Sequence, residues 1–118
     1  VVLGAELSLK KGKKEEIRAK MDELKEKRVS KQPLEYGSAG STSKRPEGYF
    51  AGKLIEDAGL RGFRVGNAQV SEKHCGFVIN LGGATAREVS ELMESVLRKV
   101  EAASGVRLEP EVKRIGEF

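Results

Sequence analysis

The sequence predicts an α+β fold, a small mixed sheet with helices packed on one face. Three observations lead there. Apolar runs of strand length stand at Val1–Leu9 and Cys75–Leu81. The segment after Thr85 carries a continuous helical stripe of apolar residues. The order along the chain is strand, helix, loop, short helix, short strands, strand, long helix, strand, with no internal repeat.

The first element is the simplest. Val1, Leu3, Ala5, Leu7 and Leu9 alternate with Val2, Gly4, Glu6 and Ser8, the two-residue period of a half-buried strand. Val1-Val2 reads as a strand entered midway. Lys10-Lys11-Gly12-Lys13-Lys14 is a basic turn, and a helix is expected from Lys13 to about Val29. Ile17, Met21 and Leu24 share one narrow face there, so this helix packs lightly or against something outside the chain. Pro33 ends it.

Leu34 to Gly48 is rich in Gly, Ser and Pro and offers almost nothing to bury. Composition favours a flexible linker. The alternative is a backbone-rich loop that brings a hydroxyl and basic groups to a ligand. It is not a phosphate loop of the Walker type, since Gly40 and Lys44 lack that spacing.

A short helix is expected over Tyr49–Ala58, with Phe50, Leu54, Ile55 and Ala58 on one side and Gly59 as its stop. Phe63-Arg64-Val65 and Ala68-Gln69-Val70 are short extended pieces, followed by a polar turn over Ser71–His74 and a buried strand over Cys75–Leu81. Thr85 and Glu88 have the spacing of a capping box. Val89, Leu92, Met93, Val96, Leu97 and Val100 then form the stripe, and Ser104-Gly105 ends the helix. Met93 is core filler in this reading. A last strand is expected over Val106–Ile115, with Pro110 at an edge or bulge.

Composition narrows the function classes. The chain has 118 residues, enough for one modest core, and 34% of them are charged. No stretch approaches the roughly 20 apolar residues of a membrane span, and no export signal stands at Val1. The expectation is a cytoplasmic protein with no membrane partner. One cysteine, Cys75, excludes an intramolecular disulfide framework, and with a single histidine it excludes the usual zinc sites. The net charge of +4 and 5% aromatic content argue against nucleic acid as partner. A local basic pocket for an anionic small molecule remains open beside an ordinary charged surface.

Three polar groups stand out as candidates. Ser41 lies beside Gly40, which lets the backbone approach a ligand, and Lys44 is its nearest partner in sequence. Glu109 and Glu111 bracket Pro110; two apart on a strand, they face the same way, and one is a candidate buried acid. The alternative is a charged strand edge. His74, in Ser71-Glu72-Lys73-His74, reads as a structural hydrogen-bonding group or a ligand contact.

These runs also carry a family resemblance. Ser38-Ala39-Gly40-Ser41-Thr42, the run from Lys44 to Leu60, Ala68 to Phe77, and Leu108-Glu109-Pro110-Glu111-Val112 resemble the UDP-N-acetylenolpyruvoylglucosamine reductase (MurB) family, shorter branch. The resemblance covers nearly the whole chain and implies a MurB C-terminal-domain-like fold. It implies that residues 1–33 are the last strand and helix of a flavin-binding part and 34–118 a substrate-binding C-terminal domain. The implied enzyme is a flavin-dependent oxidoreductase of peptidoglycan synthesis. FAD reduced by NADPH serves the reduction of UDP-N-acetylglucosamine enolpyruvate to UDP-N-acetylmuramate. The N-terminal flavin-binding domains are then a missing partner, FAD is not expected to bind this chain tightly, and the chain alone is expected to be inactive.

Residue by residue, the resemblance maps the family's proton-donating Ser to Ser41 and the Glu of its Glu-Pro-Glu-Val motif to Glu111. Lys44, Arg45 and His74 fall where the family contacts substrate. Three departures stand beside this: Gly37 where the family often has Pro, Ser43 where it usually has Phe, and Lys113-Arg114 where it has Arg and an apolar residue. A non-catalytic module for a nucleotide-sugar diphosphate and an engineered structural fragment are the competing readings.

Overall fold

The computed structural model describes residues 1–117. They divide into two compact units, Val1–Ser30 and the chain from Lys31 onward.

In the first unit, residues 1–13 have no regular structure and are exposed, so the expected strand over Val1–Leu9 does not form. Alternation marks a strand that has a partner. A lone segment leaves its N–H and C=O groups to water and gains nothing from the pattern. Helix α1, Lys14–Lys31, forms as expected. It buries no residue, and Ile17, Met21 and Leu24 are about half exposed. Side-chain pairs one turn apart support it: Arg18–Asp22 at 3.4 Å, and Lys20 and Lys27 at 3.1 and 2.8 Å from Glu23. The two lysines hold the Glu23 carboxyl below its ordinary range.

The second unit holds the core. The segment read by composition as a linker contains strand β1, Gly37–Ser41, and Thr42 and Ser43 after it are buried. Small side chains without apolar bulk form a strand here because a neighbour supplies the hydrogen-bond ladder. Helix α2, Ala51–Asp57, is followed by β2, Arg64–Val65, β3, Ala68–Val70, and β4, Phe77–Asn80. The sheet order is β1-β4-β3-β2, and every described pairing is antiparallel. The α+β class therefore holds.

Helix α3, Ala86–Ser104, carries the predicted capping box. Thr85 Oγ1 accepts from the Glu88 N–H at 3.1 Å, and the Glu88 carboxylate accepts from the Thr85 N–H at 2.7 Å. It ends at Gly105, whose φ of 72° places it in the left-handed region that glycine tolerates best. From its stripe, Leu92, Met93, Val96 and Val100 are buried, and Val89 and Leu97 pack beside them. They meet Ile55, Leu60, Val70 and Val78 in one core. Phe50, expected on the apolar side of α2, is 62% exposed at the helix entrance instead.

The last predicted strand, Val106–Ile115, reduces to one isolated bridge, Ser43 to Pro110. Ser43 and Pro110 form a non-hydrogen-bonded pair, whose two bonds come from the flanking residues, so the N–H that proline lacks is not needed there. The Lys44 N–H donates to the Glu109 carbonyl at 2.8 Å, and the Glu111 N–H to the Thr42 carbonyl at 2.9 Å.

Candidate active site

An open cleft of about 440 Å³ lies where the end of β1, the start of α2 and the Ser71–Phe77 turn meet. Its walls include Ser41, Arg45, His74 and Glu111.

The β1–β4 pairing explains how Ser41 reaches it. The register runs Gly37 to Asn80 and Ser38 to Ile79, then slips so that Ser41 faces Phe77. A bulge of this kind re-aims the side chains that follow. Ser41 Oγ lies 3.3 Å from the Ser43 carbonyl, to which it donates. Thr42 then joins three segments. Its N–H and Oγ1 both donate to the Gly76 carbonyl, at 3.0 and 3.3 Å, while its carbonyl accepts from the Glu111 N–H. Ser41, Glu111 and the His74–Gly76 turn are thus held by one buried residue.

His74 is half-buried, and its Nδ1 accepts from the Gly76 N–H at 3.0 Å. That bond leaves the proton of the neutral ring on Nε2. Phe77 holds the imidazole edge-on, with ring centroids 4.9 Å apart. Arg45 lies over the Phe50 ring, 4.0 Å from its centroid, and Nε donates to the Tyr49 carbonyl at 3.3 Å.

Lys44 is not brought to the cleft. Its ammonium pairs with the Glu109 carboxylate, so it does not partner Ser41 either. Glu109 borders a separate groove with Arg98, Arg107 and Arg114. Glu111 borders the cleft and Glu109 the separate groove, and both are exposed, so the expectation of a buried acid fails.

The cleft contains cations that sequence reasoning missed: Lys53, Arg61 and Lys73. Each has a carboxylate nearby. Lys53 pairs with Asp57 at 2.7 Å, Arg61 with Glu56 at 2.6 Å and Lys73 with Glu35 at 3.8 Å. Asp57 and Glu56 raise the Lys53 and Arg61 pKa values respectively, so both stay charged. Exposed pairs of this kind are weak and screened by water, so a bound anion can compete for the cations. Arg45 has no carboxylate partner among the described residues. Cys75 lies in the wall, 5% exposed, and burial pushes its thiol up against a smaller downward pull from Arg61. Among the described residues no cluster of acidic, histidine and cysteine side chains suits a metal ion.

Residues 32–115 match the family model described as UDP-N-acetylenolpyruvoylglucosamine reductase, C-terminal domain. The chain belongs to the UDP-N-acetylenolpyruvoylglucosamine reductase family. It is 64% identical over 116 residues to the reductase of Lachnoclostridium phytofermentans, covering 98% of this chain and 37% of that protein. It is also 64% identical over 118 residues to the Agathobacter rectalis reductase, covering 100% of this chain and 38% of the relative. The crystal structure of the Thermus caldophilus reductase superposes with a TM-score of 0.73 at 40% identity, over 90% of this chain and 37% of that one. The chain therefore spans well under half the length of the reductases it matches.

Two glycine positions mark where the backbone segments around the cleft approach one another. Gly52 stands inside a helix, where glycine is disfavoured, and a Cβ there would lie 3.3 Å from both the Gly76 nitrogen and His74 Cε1. Arg61 sits between the helix stop Gly59-Leu60 and Gly62, at the mouth of a turn. No local pattern tells which surface lysine faces a cleft, so Lys53 and Lys73 needed the fold. No described helix is long and apolar enough to cross a membrane.

Proposed function

We propose that this chain is the substrate-binding part of a UDP-N-acetylenolpyruvoylglucosamine reductase that forms UDP-N-acetylmuramate. Residues 34–118 are its substrate-binding domain, and residues 1–33 belong with the flavin-binding part. The supporting observation is the convergence of Ser41 and Glu111, distant in sequence, on one cationic cleft through Thr42.

The chemistry fits those groups. Reducing the enolpyruvyl double bond adds a hydride to one carbon and a proton to the other. Carbanion character develops beside the substrate carboxylate between the two events. Ser41 is the proton donor to carbon in this reading, and its position beside Gly76 leaves room for the approach. Glu111 shares the wall and takes part in the charge and proton balance of the enol-like species. Arg45, with no carboxylate partner among the described residues, is placed for a substrate carboxylate. Lys53, Arg61 and Lys73 are placed for a diphosphate, which outcompetes single exposed carboxylates by charge and by number of acceptor oxygens.

In this reading the cleft serves the substrate and not the flavin. The cleft wall holds one aromatic carbocycle, Phe50, and the Arg45 guanidinium covers it. FAD and NADPH belong, in this reading, to the rest of the longer protein, where the reduced flavin supplies the hydride. Unit Val1–Ser30, with nothing buried, supports the same division: its apolar positions are those of a sheet strand and a packing helix in need of a partner.

The test uses the full-length protein, NADPH and UDP-N-acetylglucosamine enolpyruvate. NADPH oxidation should depend on the enolpyruvate and match UDP-N-acetylmuramate one for one. Glu111→Gln keeps shape and removes the acid, and should lower kcat about 10²–10⁴-fold. Nucleotide-sugar binding without any enolpyruvate-dependent NADPH oxidation would establish the non-catalytic module instead.

A further inference from the structure

One buried hydroxyl near the cleft has no part in the chemistry above. Ser71 is 1% exposed, beside Val70 at 1% and within the same turn as Cys75 at 5%. A hydroxyl in such surroundings costs stability unless it is hydrogen-bonded. Its Oγ accepts two backbone N–H groups, from Lys73 and His74, each at 3.2 Å. The Ser71 N–H donates to the Phe77 carbonyl at 2.9 Å, and the Phe77 N–H to the His74 carbonyl at 3.0 Å. The turn is therefore closed at both ends, with Ser71 Oγ as its internal acceptor.

The orientation of His74 follows from that closure. Gly76 N–H and the Phe77 ring act on the imidazole directly, but both are fixed relative to the His74 backbone only while the turn keeps its shape. The Oγ bond to the His74 N–H ties this backbone to the buried Ser71 side chain directly. Lys73 has its own side-chain anchor in Glu35, so its ammonium depends less on the turn.

We propose that Ser71 is a positioning residue for the cleft: its buried hydroxyl holds the turn that presents His74 Nε2–H to bound substrate. Ser71 touches no substrate itself and acts through His74. This rests on the reading that the cleft binds substrate and that His74 contacts it.

The experiment is a double-mutant cycle in the full-length protein with UDP-N-acetylglucosamine enolpyruvate as substrate. Ser71→Ala, Ser71→Cys, His74→Ala and the double variants are compared by KM, kcat and melting temperature. Ser71→Cys keeps the size and offers only a weak acceptor, so it serves if the alanine variant folds poorly. His74→Ala should raise KM at least about tenfold, the value of one good hydrogen bond to a charged ligand. Ser71→Cys should raise KM up to about tenfold with a smaller change in kcat. On a His74→Ala background the same change should raise KM less than about twofold, because the group it positions is gone.

A KM unchanged by Ser71→Cys, where His74→Ala raises it, would overturn the proposal and leave the cleft reading standing. Effects that simply multiply would also overturn it, since Ser71 would then act independently of His74. A KM unaffected by His74→Ala would remove His74 as a substrate contact, and the role of Ser71 with it. These outcomes are separable because each variant is measured with and without the other.

Discussion

Gly76→Ala is the perturbation whose consequences the structure sets most tightly. A Cβ at Gly76 would stand 2.9 Å from His74 Cε1 and 3.1 Å from Nδ1, and 3.8 Å from Ser41 Oγ. The first two are too close for carbon and nitrogen, so the imidazole must move. Its freedom is small: Phe77 packs edge-on to the ring, and Nδ1 is bound to the Gly76 N–H. Moving the ring gives up that hydrogen bond, worth about 0.5–1.5 kcal/mol, and part of the aromatic contact, about 0.5–1.5 kcal/mol. The expected loss is about 1–3 kcal/mol, also the usual range for a methyl forced into a packed site. For a core of this size each kcal/mol lowers the melting temperature by roughly 4–8 °C. Thermal unfolding of the chain reads the stability, and the ¹⁵N shifts of the His74 ring read its tautomer. A variant that melts within 2 °C of the parent (about 0.5 kcal/mol or less) with unchanged His74 shifts would refute the turn geometry on which the cleft depends.

Leu92→Ala should cost about 2–5 kcal/mol in denaturant unfolding, because Leu92 is fully enclosed, whereas Leu9→Ala, on the exposed segment, should stay within about 0.5 kcal/mol. Equal effects would contradict the division into a packed unit and an unpartnered one. Cys75 should resist iodoacetamide at pH 7 in the native chain and react readily in denaturant, since it is buried and burial raises its thiol; fast native labelling would place it at the surface. Arg114 holds the Glu94 carboxyl below its ordinary value across a 2.7 Å pair. The folded value lies below the unfolded one, so this pair's contribution is complete above the unfolded pKa, about 4.3, and fades as pH falls through the lowered folded value. Glu94→Gln should therefore flatten part of the acid limb of the stability profile and change nothing above pH 6 beyond a constant offset. An alkaline-side change would contradict that sign.

Elements whose sequence pattern and partner lie in the same stretch were legible in advance. Helix α3 is the clearest: the Thr85–Glu88 box, the stripe from Val89 to Val100 and Gly105 all act within the helix itself. Elements that depend on a distant partner were misread in both directions. Val1–Leu9 has the pattern of a strand, yet no described segment pairs with it and no strand forms. Gly37–Ser41 has no such pattern and becomes a strand because β4 offers a ladder. Val106–Ile115 kept only the bridge between Pro110 and Ser43, with both flanking bonds made. In the cleft, Ser41 and Glu111 were found through long motifs, whose order survives without knowledge of the fold. Lys53, Arg61 and Lys73 were missed because their convergence depends on how α2 and the Ser71–Phe77 turn meet. Lys44 was placed beside Ser41 by sequence distance alone, and a strand-like backbone carried its side chain to Glu109 instead.

The central claim is that Ser41 delivers a proton to substrate carbon, and stopped-flow absorbance of the flavin in the full-length protein tests it most directly. The two half-reactions are followed separately, first with NADPH and then with UDP-N-acetylglucosamine enolpyruvate. Only the second needs a proton delivered to carbon. Ser41→Ala should slow flavin reoxidation by the enolpyruvate about 10²–10⁴-fold and leave flavin reduction by NADPH within a few-fold of the parent. Equal slowing of both half-reactions, or of neither, would contradict the assignment of Ser41 as proton donor.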